Sequence, residues 1–158
     1  MKYKSQTSFT HGQADKVGVL ISNLGTPPAP TKQALKPYLK QFLSDPRVVE
    51  VPKIIWWCVL NLIILNIRPK RSAEAYKTVW TEEGSPLLVH TKNQALGLEQ
   101  KLKAEYGDNI VVSYAMRYGQ PSVSRAIDEL LDQGARKLVV LPLSVSYTHL
   151  TLPTICSG

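Results

Sequence analysis

Three short strand-like runs, the first of them continuous, β-branched and apolar, decide what this chain can fold into. They are Val17 to Ser22 in VGVLIS, Ile110 to Gly119 in IVVSYAMRYG, and Lys137 to Leu143 in KLVVLPL. Continuous rather than alternating hydrophobicity marks strands covered on both faces, as in a parallel sheet. Helical patterns stand between them. Thr31 can cap a helix to about Ser44, with Leu35, Tyr38, Leu39, Phe42 and Leu43 on one face and a break or kink at Pro37. SDPRVVEVP is a turn, and an apolar helix, Ile54 to Ile67, follows. A basic helix then begins near Pro69, and Ser85-Pro86 opens another, Ser85 acting as a cap, that runs to about Tyr106. The last helix, in QPSVSRAIDELLDQG, has Pro121 early and Gly134 at its C-terminal cap. Strand, helices, strand, helix, strand predicts an α/β domain with an open parallel sheet and right-handed crossovers. Ligands of such sheets lie beyond the carboxyl ends of the strands, which puts residues 23–26 and 116–119 on one rim.

A chain of 158 residues suits one domain with a real core. Its net charge of +7 points to an acidic partner: nucleic acid, anionic lipid, or a small ligand carrying carboxylates. Cys58 and Cys156 lie far apart with no metal-ligand spacing, so the expected setting is reduced and cytoplasmic. Residues 1–16 lack an apolar signal core and read as a polar, disordered arm. The segment IIWWCVLNLIILNI is too short for the roughly twenty residues a span requires, and Asn61 and Asn66 interrupt it. Two readings stay open for it: a buried helix, or a lip dipping into a membrane surface with Lys36, Lys40, Lys53, Arg68, Lys70 and Arg71 around it.

The first strand ends in NLGTPPAP, where a glycine after a strand suggests a phosphate loop. That reading is weak. There is one glycine, no Lys-Ser/Thr pair, and Pro27 and Pro28 remove two N–H donors. What remains is Leu24 beside a stiff turn, better suited to a flat apolar ligand. At the second strand end Arg117 could reach a ligand carboxylate or pair with an acidic neighbour. Tyr118, expected to face the other way, offers a ring or hydroxyl, or else fills core. G-x-S-x-G, H-E-x-x-H and C-x-x-C are missing, and His90 reads as a solvated surface residue.

After Leu143 the chain changes character. SVSYTHLTLPTICSG has no charged residue and no helical period. Val145 to Thr154, VSYTHLTLPT, reads as the in-frame translation of a transposon-type sequencing adapter. Residues 144–158 are therefore set aside from fold reasoning as an artefactual tail, with His149 and Cys156 excluded as candidates.

GVLISNLGTPPAP, FLSDPRVVEVP, IRPKRSAEAYKTVWTEEGSPL and YAMRYGQPSV stand in an order and spacing that resembles the N-terminal half of bacterial-type ferrochelatase, from about Val17 to Leu143. The resemblance implies a truncated, Rossmann-like (chelatase-like) α/β domain. The family inserts ferrous iron into protoporphyrin IX, the last step of haem synthesis. Protoporphyrin IX and Fe2+ are therefore the expected partners of the parent protein, with iron as substrate and no cofactor. Nucleic acid is not expected; peripheral contact with the inner membrane is. By motif, Leu24 would pack on the macrocycle; leucine there, where coproporphyrin-using members carry tyrosine, leans toward protoporphyrin. Arg68, Tyr76, Ser85, Gln94, Arg117 and Tyr118 would line the pocket, and Leu39, Phe42 and Leu43 would form the entry lip. The family's metal-handling histidine and its acidic partner fall in the missing half, so this chain should carry part of a porphyrin wall, no catalytic residue and no metal site, and be inactive alone. Two other classes compete: a non-catalytic tetrapyrrole-binding module, and a basic peripheral membrane module.

Overall fold

The computed structural model describes residues 16–144; residues 1–15 of the expected arm and the tail from Val145 lie outside them, and Lys16, counted with the arm, opens the first strand. Strand β1 (Lys16–Thr26) is central, flanked by β2 (Ile110–Gly119) and β3 (Ala135–Pro142), all parallel, in the order β2-β1-β3. β1 continues past the expected end at Ser22, because Asn23, Gly25 and Thr26 pair with Met116, Tyr118 and Gly119. The NLGT segment is thus the last part of a strand rather than a loop.

Alternation along β1 sends Leu20 toward α5 (Val123–Asp132) and Asn23 toward α4 (Pro86–Tyr106), so helices cover both faces. Under α5 lies a core of Leu20, Val111, Ala115, Ala126, Leu130 and Ala135. The α5 cap is Ser122, whose hydroxyl accepts the Arg125 N–H, and Gly134 closes the helix with a positive φ. Edge strand β3 leaves Leu138 to Leu141 exposed.

Helix α1 (Lys32–Leu43) starts where Thr31 predicts, its side chain accepting the Ala34 N–H, and runs without interruption across Pro37. Of the expected break or kink, the break is not there. The next segment also differs from expectation. In place of an apolar helix and a separate basic one, helix α2 (Lys53–Cys58), a π-helical turn (Val59–Ile64) and helix α3 (Leu65–Val79) form one run. Pro69 lies inside α3, fully buried, one turn after the widened π segment. The π segment ends at Ile64, one residue before Leu65, to whose carbonyl Pro69 has no N–H to donate. Asn61 and Asn66 turn their amides back onto the Trp57 and Leu62 carbonyls.

The buried-helix reading of Ile54 to Ile67 is overturned. Ile54 is 83% exposed, Trp57 63%, and Ile55, Leu62, Ile63 and Ile67 are exposed too. Burial is confined to Leu60 and Leu65, which pack with Leu43 in a cluster flanked by Leu39, Phe42 and Trp56. Trp56 is fixed by donating its indole N–H to the Leu43 carbonyl at 2.7 Å. Among the described residues no helix is long and apolar enough to cross a membrane.

Candidate functional site

The carboxyl ends of β1 and β2 lie side by side, with Thr26 opposite Gly119. Their close approach depends on glycine. At Gly25, φ is +115°, and a side chain would run into the Tyr118 carbonyl; at Gly119, φ is +94°, and a Cβ would stand 2.7 Å from the Thr26 carbonyl oxygen. Leu24 falls between the paired Asn23 and Gly25, on the stretch of β1 facing Arg117, and is half-buried.

Three elements converge on this rim. From α1, Tyr38 donates its hydroxyl to the Gly25 carbonyl at 3.1 Å, and its ring lies parallel to that of Phe42 at 6.3 Å. Phe42 in turn meets Tyr118 edge-on at 5.0 Å. From α3, Tyr76 brings its hydroxyl beside Tyr38 and its ring against Trp80. Burial first, then the Tyr76 neighbour, push the Tyr38 phenol well above its ordinary range.

The turn after α1 contributes Asp45. Its Oδ2 accepts from the Tyr118 hydroxyl at 2.9 Å and from Arg117 Nη2 at 3.0 Å, while Oδ1 accepts the Arg47 backbone N–H at 2.9 Å. The Arg47 N–H most strongly, then Tyr118 and Arg117, hold the Asp45 carboxyl below its usual range. Burial, and the bond to Asp45, raise the Tyr118 phenol. Arg117 and Tyr118 therefore share one acceptor, although strand alternation predicts that they diverge. The Arg117 guanidinium carbon lies 5.6 Å from the Tyr118 ring centre.

The β1 end is also tied to α4. Thr26 donates to the Ser85 hydroxyl at 2.8 Å, and Asn23 donates to Thr91 Oγ1 at 2.9 Å. Ser85 occupies the α4 N-cap position but makes no side-chain capping bond; its hydroxyl is used toward Thr26.

The structure thus gathers Tyr76 and Tyr118 around Tyr38 and Phe42, with Arg117 joined through Asp45 and Ser85 buried behind Thr26, while Leu24 lies on the neighbouring stretch of β1. Arg68 is exposed on α3, eight residues and so about 12 Å along the axis from Tyr76. Gln94 is exposed on α4, and neither it nor Arg68 is drawn into the aromatic cluster by a bond or ring contact. Leu39 and Phe42 are half-buried and Leu43 is buried, all in the cluster with Leu60 and Leu65. Tyr38 and Asp45 belong to the rim but were not singled out from sequence. Tyr38 shows only as one more apolar position on a helix face, and no spacing rule connects Asp45 to residues 72 and 73 positions later.

Two recesses, of about 340 and 410 Å³, lie elsewhere. One is lined by Tyr114, Gln120, Arg125 and Glu129, the other by Thr81, Glu82, Glu83 and His90. Among the described residues, no three His, Cys, Asp or Glu side chains stand close enough to hold a metal ion together.

Comparison with known proteins gives the same family that the motifs resemble. The sequence profile of the ferrochelatase family matches residues 16–157, a range that runs through the segment after Leu143. The ferrochelatase of Idiomarina loihiensis is 63% identical over 151 residues, 96% of this chain and 42% of that protein. The ferrochelatase of Pseudoalteromonas atlantica is 60% identical over the same shares, and that of Chromobacterium violaceum 54% identical over 92% of this chain and 40% of its own length. This chain spans about two-fifths of the length of these relatives. A parallel α/β sheet with NLGTP and MRYGQP at adjoining strand ends, matched by the family profile across most of its residues, belongs to the ferrochelatase family.

Proposed function

We propose that this chain supplies part of the wall on which a ferrochelatase holds protoporphyrin IX while ferrous iron is inserted. The observation that carries the reading is the rim itself. Half-buried Leu24, Phe42 and Tyr76 leave apolar and aromatic surface near the Arg117 guanidinium, with Tyr38 and Tyr118 buried behind them, at the carboxyl ends of two paired strands. A porphyrin is a broad apolar plate with two anionic propionates, so it calls for apolar contact plus cations. Arg68 on α3 offers a second, solvent-exposed cation about two helical turns before Tyr76.

In this reading the chain's residues bind and orient and do not carry protons or metal. Iron insertion requires the pyrrole nitrogens to tip out of plane, and contact along the rest of the plate supports that distortion, typically about 1–5 kcal/mol. Iron is substrate, and no cofactor is assigned. Removal of the pyrrole protons is left to groups outside this set. The chain alone should therefore bind porphyrin and fail to metallate it.

Titration with protoporphyrin, followed by its Soret band, tests this. The chain should give a saturable shift that weakens in Arg117→Ala and in Arg68→Ala. A wild-type chain with no shift contradicts the reading.

A second surface favours a second role. Exposed Ile54, Ile55, Trp57, Leu62 and Ile67 lie on the α2–π–α3 run with Lys53, Arg68, Lys70 and Arg71. Apolar anchors among cations fit peripheral contact with an anionic membrane, where an apolar substrate would be met. Sedimentation with anionic vesicles should be lost as salt rises; binding to neutral vesicles that ignores salt contradicts it.

A further inference from the structure

The carboxylate that meets Arg117 belongs to the protein itself. Asp45 Oδ2 takes both the guanidinium and the Tyr118 hydroxyl, and the Arg47 N–H fixes the other oxygen. The turn holding Asp45 is closed by the Val48 and Val49 N–H groups on the Asp45 carbonyl. One residue earlier than that turn's cap, Leu43 accepts the Trp56 indole, and Gln41 accepts the Gly119 N–H at 3.0 Å. Asp45 is therefore held against the β2 end by its neighbours on both sides. Its side chain is 11% exposed, whereas that of Arg117 is 38% exposed, so the pair opens to solvent on the cationic side. A ligand carboxylate coming to this rim meets a guanidinium already facing a carboxylate.

We propose that Asp45 is a specificity-determining residue of the rim, occupying Arg117 and Tyr118 as a built-in carboxylate so that a ligand anion must compete with it. This rests on the porphyrin reading above. With Asp45 in place and Leu24 as an apolar neighbour on β1, the β2 end offers little net charge to a carboxylate. A porphyrin with two carboxylates need set only one against this pair. One with four must bring a carboxylate against Asp45 more often, and like charges in proximity disfavour it. Asp45 thus selects against the more highly carboxylated plate. The groups facing it are the Arg117 guanidinium and the neutral Tyr118 hydroxyl from β2 and the Arg47 backbone N–H from its own turn.

The test compares the wild-type chain with Asp45→Asn, which keeps the shape of the side chain and removes its charge. Each is titrated with protoporphyrin IX and with tetracarboxylate coproporphyrin by Soret absorbance. Asn should improve the ratio of coproporphyrin to protoporphyrin affinity by about threefold, the scale of one partly exposed charge pair. The gain should fade in high salt and disappear in Asp45→Asn/Arg117→Ala. An unchanged or lower ratio, or a gain that survives removal of Arg117, overturns the proposal. A separate measurement needs no porphyrin: the carboxyl 13C signal of Asp45 should titrate below the ordinary range in wild type and move up in Arg117→Ala. An ordinary midpoint in wild type overturns the proposal even where porphyrin binds. Absence of a Soret response to either porphyrin overturns the porphyrin reading, and this proposal with it.

Discussion

A methyl group on Gly25 would overlap the Tyr118 carbonyl, in a backbone conformation that L side chains rarely adopt. Gly25→Ala should cost about 1–3 kcal/mol or more in urea denaturation, because β1 and β2 must separate at the rim. An unchanged midpoint would show that the strand ends are not in contact. Ionisation at the rim has a defined sign. The folded-state pKa of Asp45 lies below its ordinary 3.8, so its contribution is present above that pH and is lost as pH falls through the folded value. Tyr118 and Tyr38 are raised above 10.0, so their contribution is present below that pH and is lost as pH rises through their folded values. Urea midpoints measured as pH falls below 3.8 should drop more steeply for wild type than for Asp45→Asn. Superimposable profiles would contradict the bonds drawn to Asp45.

At the scale of elements, the α2–π–α3 run is where sequence patterning misleads. Hydrophobicity on every side of Ile54 to Ile67 suggests full burial, yet Leu60 and Leu65 are the positions that reach the α1 cluster. Hydropathy reports a preference for leaving water and says nothing of whether a partner exists to cover each face. Leu60→Ala should destabilise by about 2–5 kcal/mol, the cost of emptying a packed apolar site. Ile54→Ser, on the exposed side, should stay within about 0.5 kcal/mol. Similar losses from both would contradict the burial pattern. Pro37 and Pro69 are the other lesson. A proline removes one hydrogen bond, and packing outweighs that: Pro69 is buried inside α3, behind a widened turn.

Across the whole molecule, the sheet was legible because the continuous apolar run of β1 matches its burial on both faces, whereas β3 keeps an apolar pattern although Leu138 to Leu141 are exposed at the sheet edge. The side-by-side placement of residues 23–26 and 116–119 follows from that architecture and is seen in the Thr26–Gly119 pairing. Leu24, Arg117 and Tyr118 could be read as rim residues from strand ends alone. Arg68, Tyr76, Ser85 and Gln94 came from motif likeness, and the structure distributes them differently: Tyr76 beside Tyr38, Ser85 behind Thr26, Arg68 and Gln94 on exposed helix surface. Asp45 was illegible, since its partners are distant in sequence and its own surroundings, Ser-Asp-Pro, describe only a turn. In the proposed function, the paired ends of β1 and β2 form the surface a porphyrin touches. Backbone NMR of the labelled chain during addition of protoporphyrin IX tests it most directly. Shift changes and ring-current effects should concentrate at Leu24, Gly25, Tyr76, Arg117 and Tyr118. Changes confined to residues 53–67 or to β3, with the rim unmoved, would contradict it.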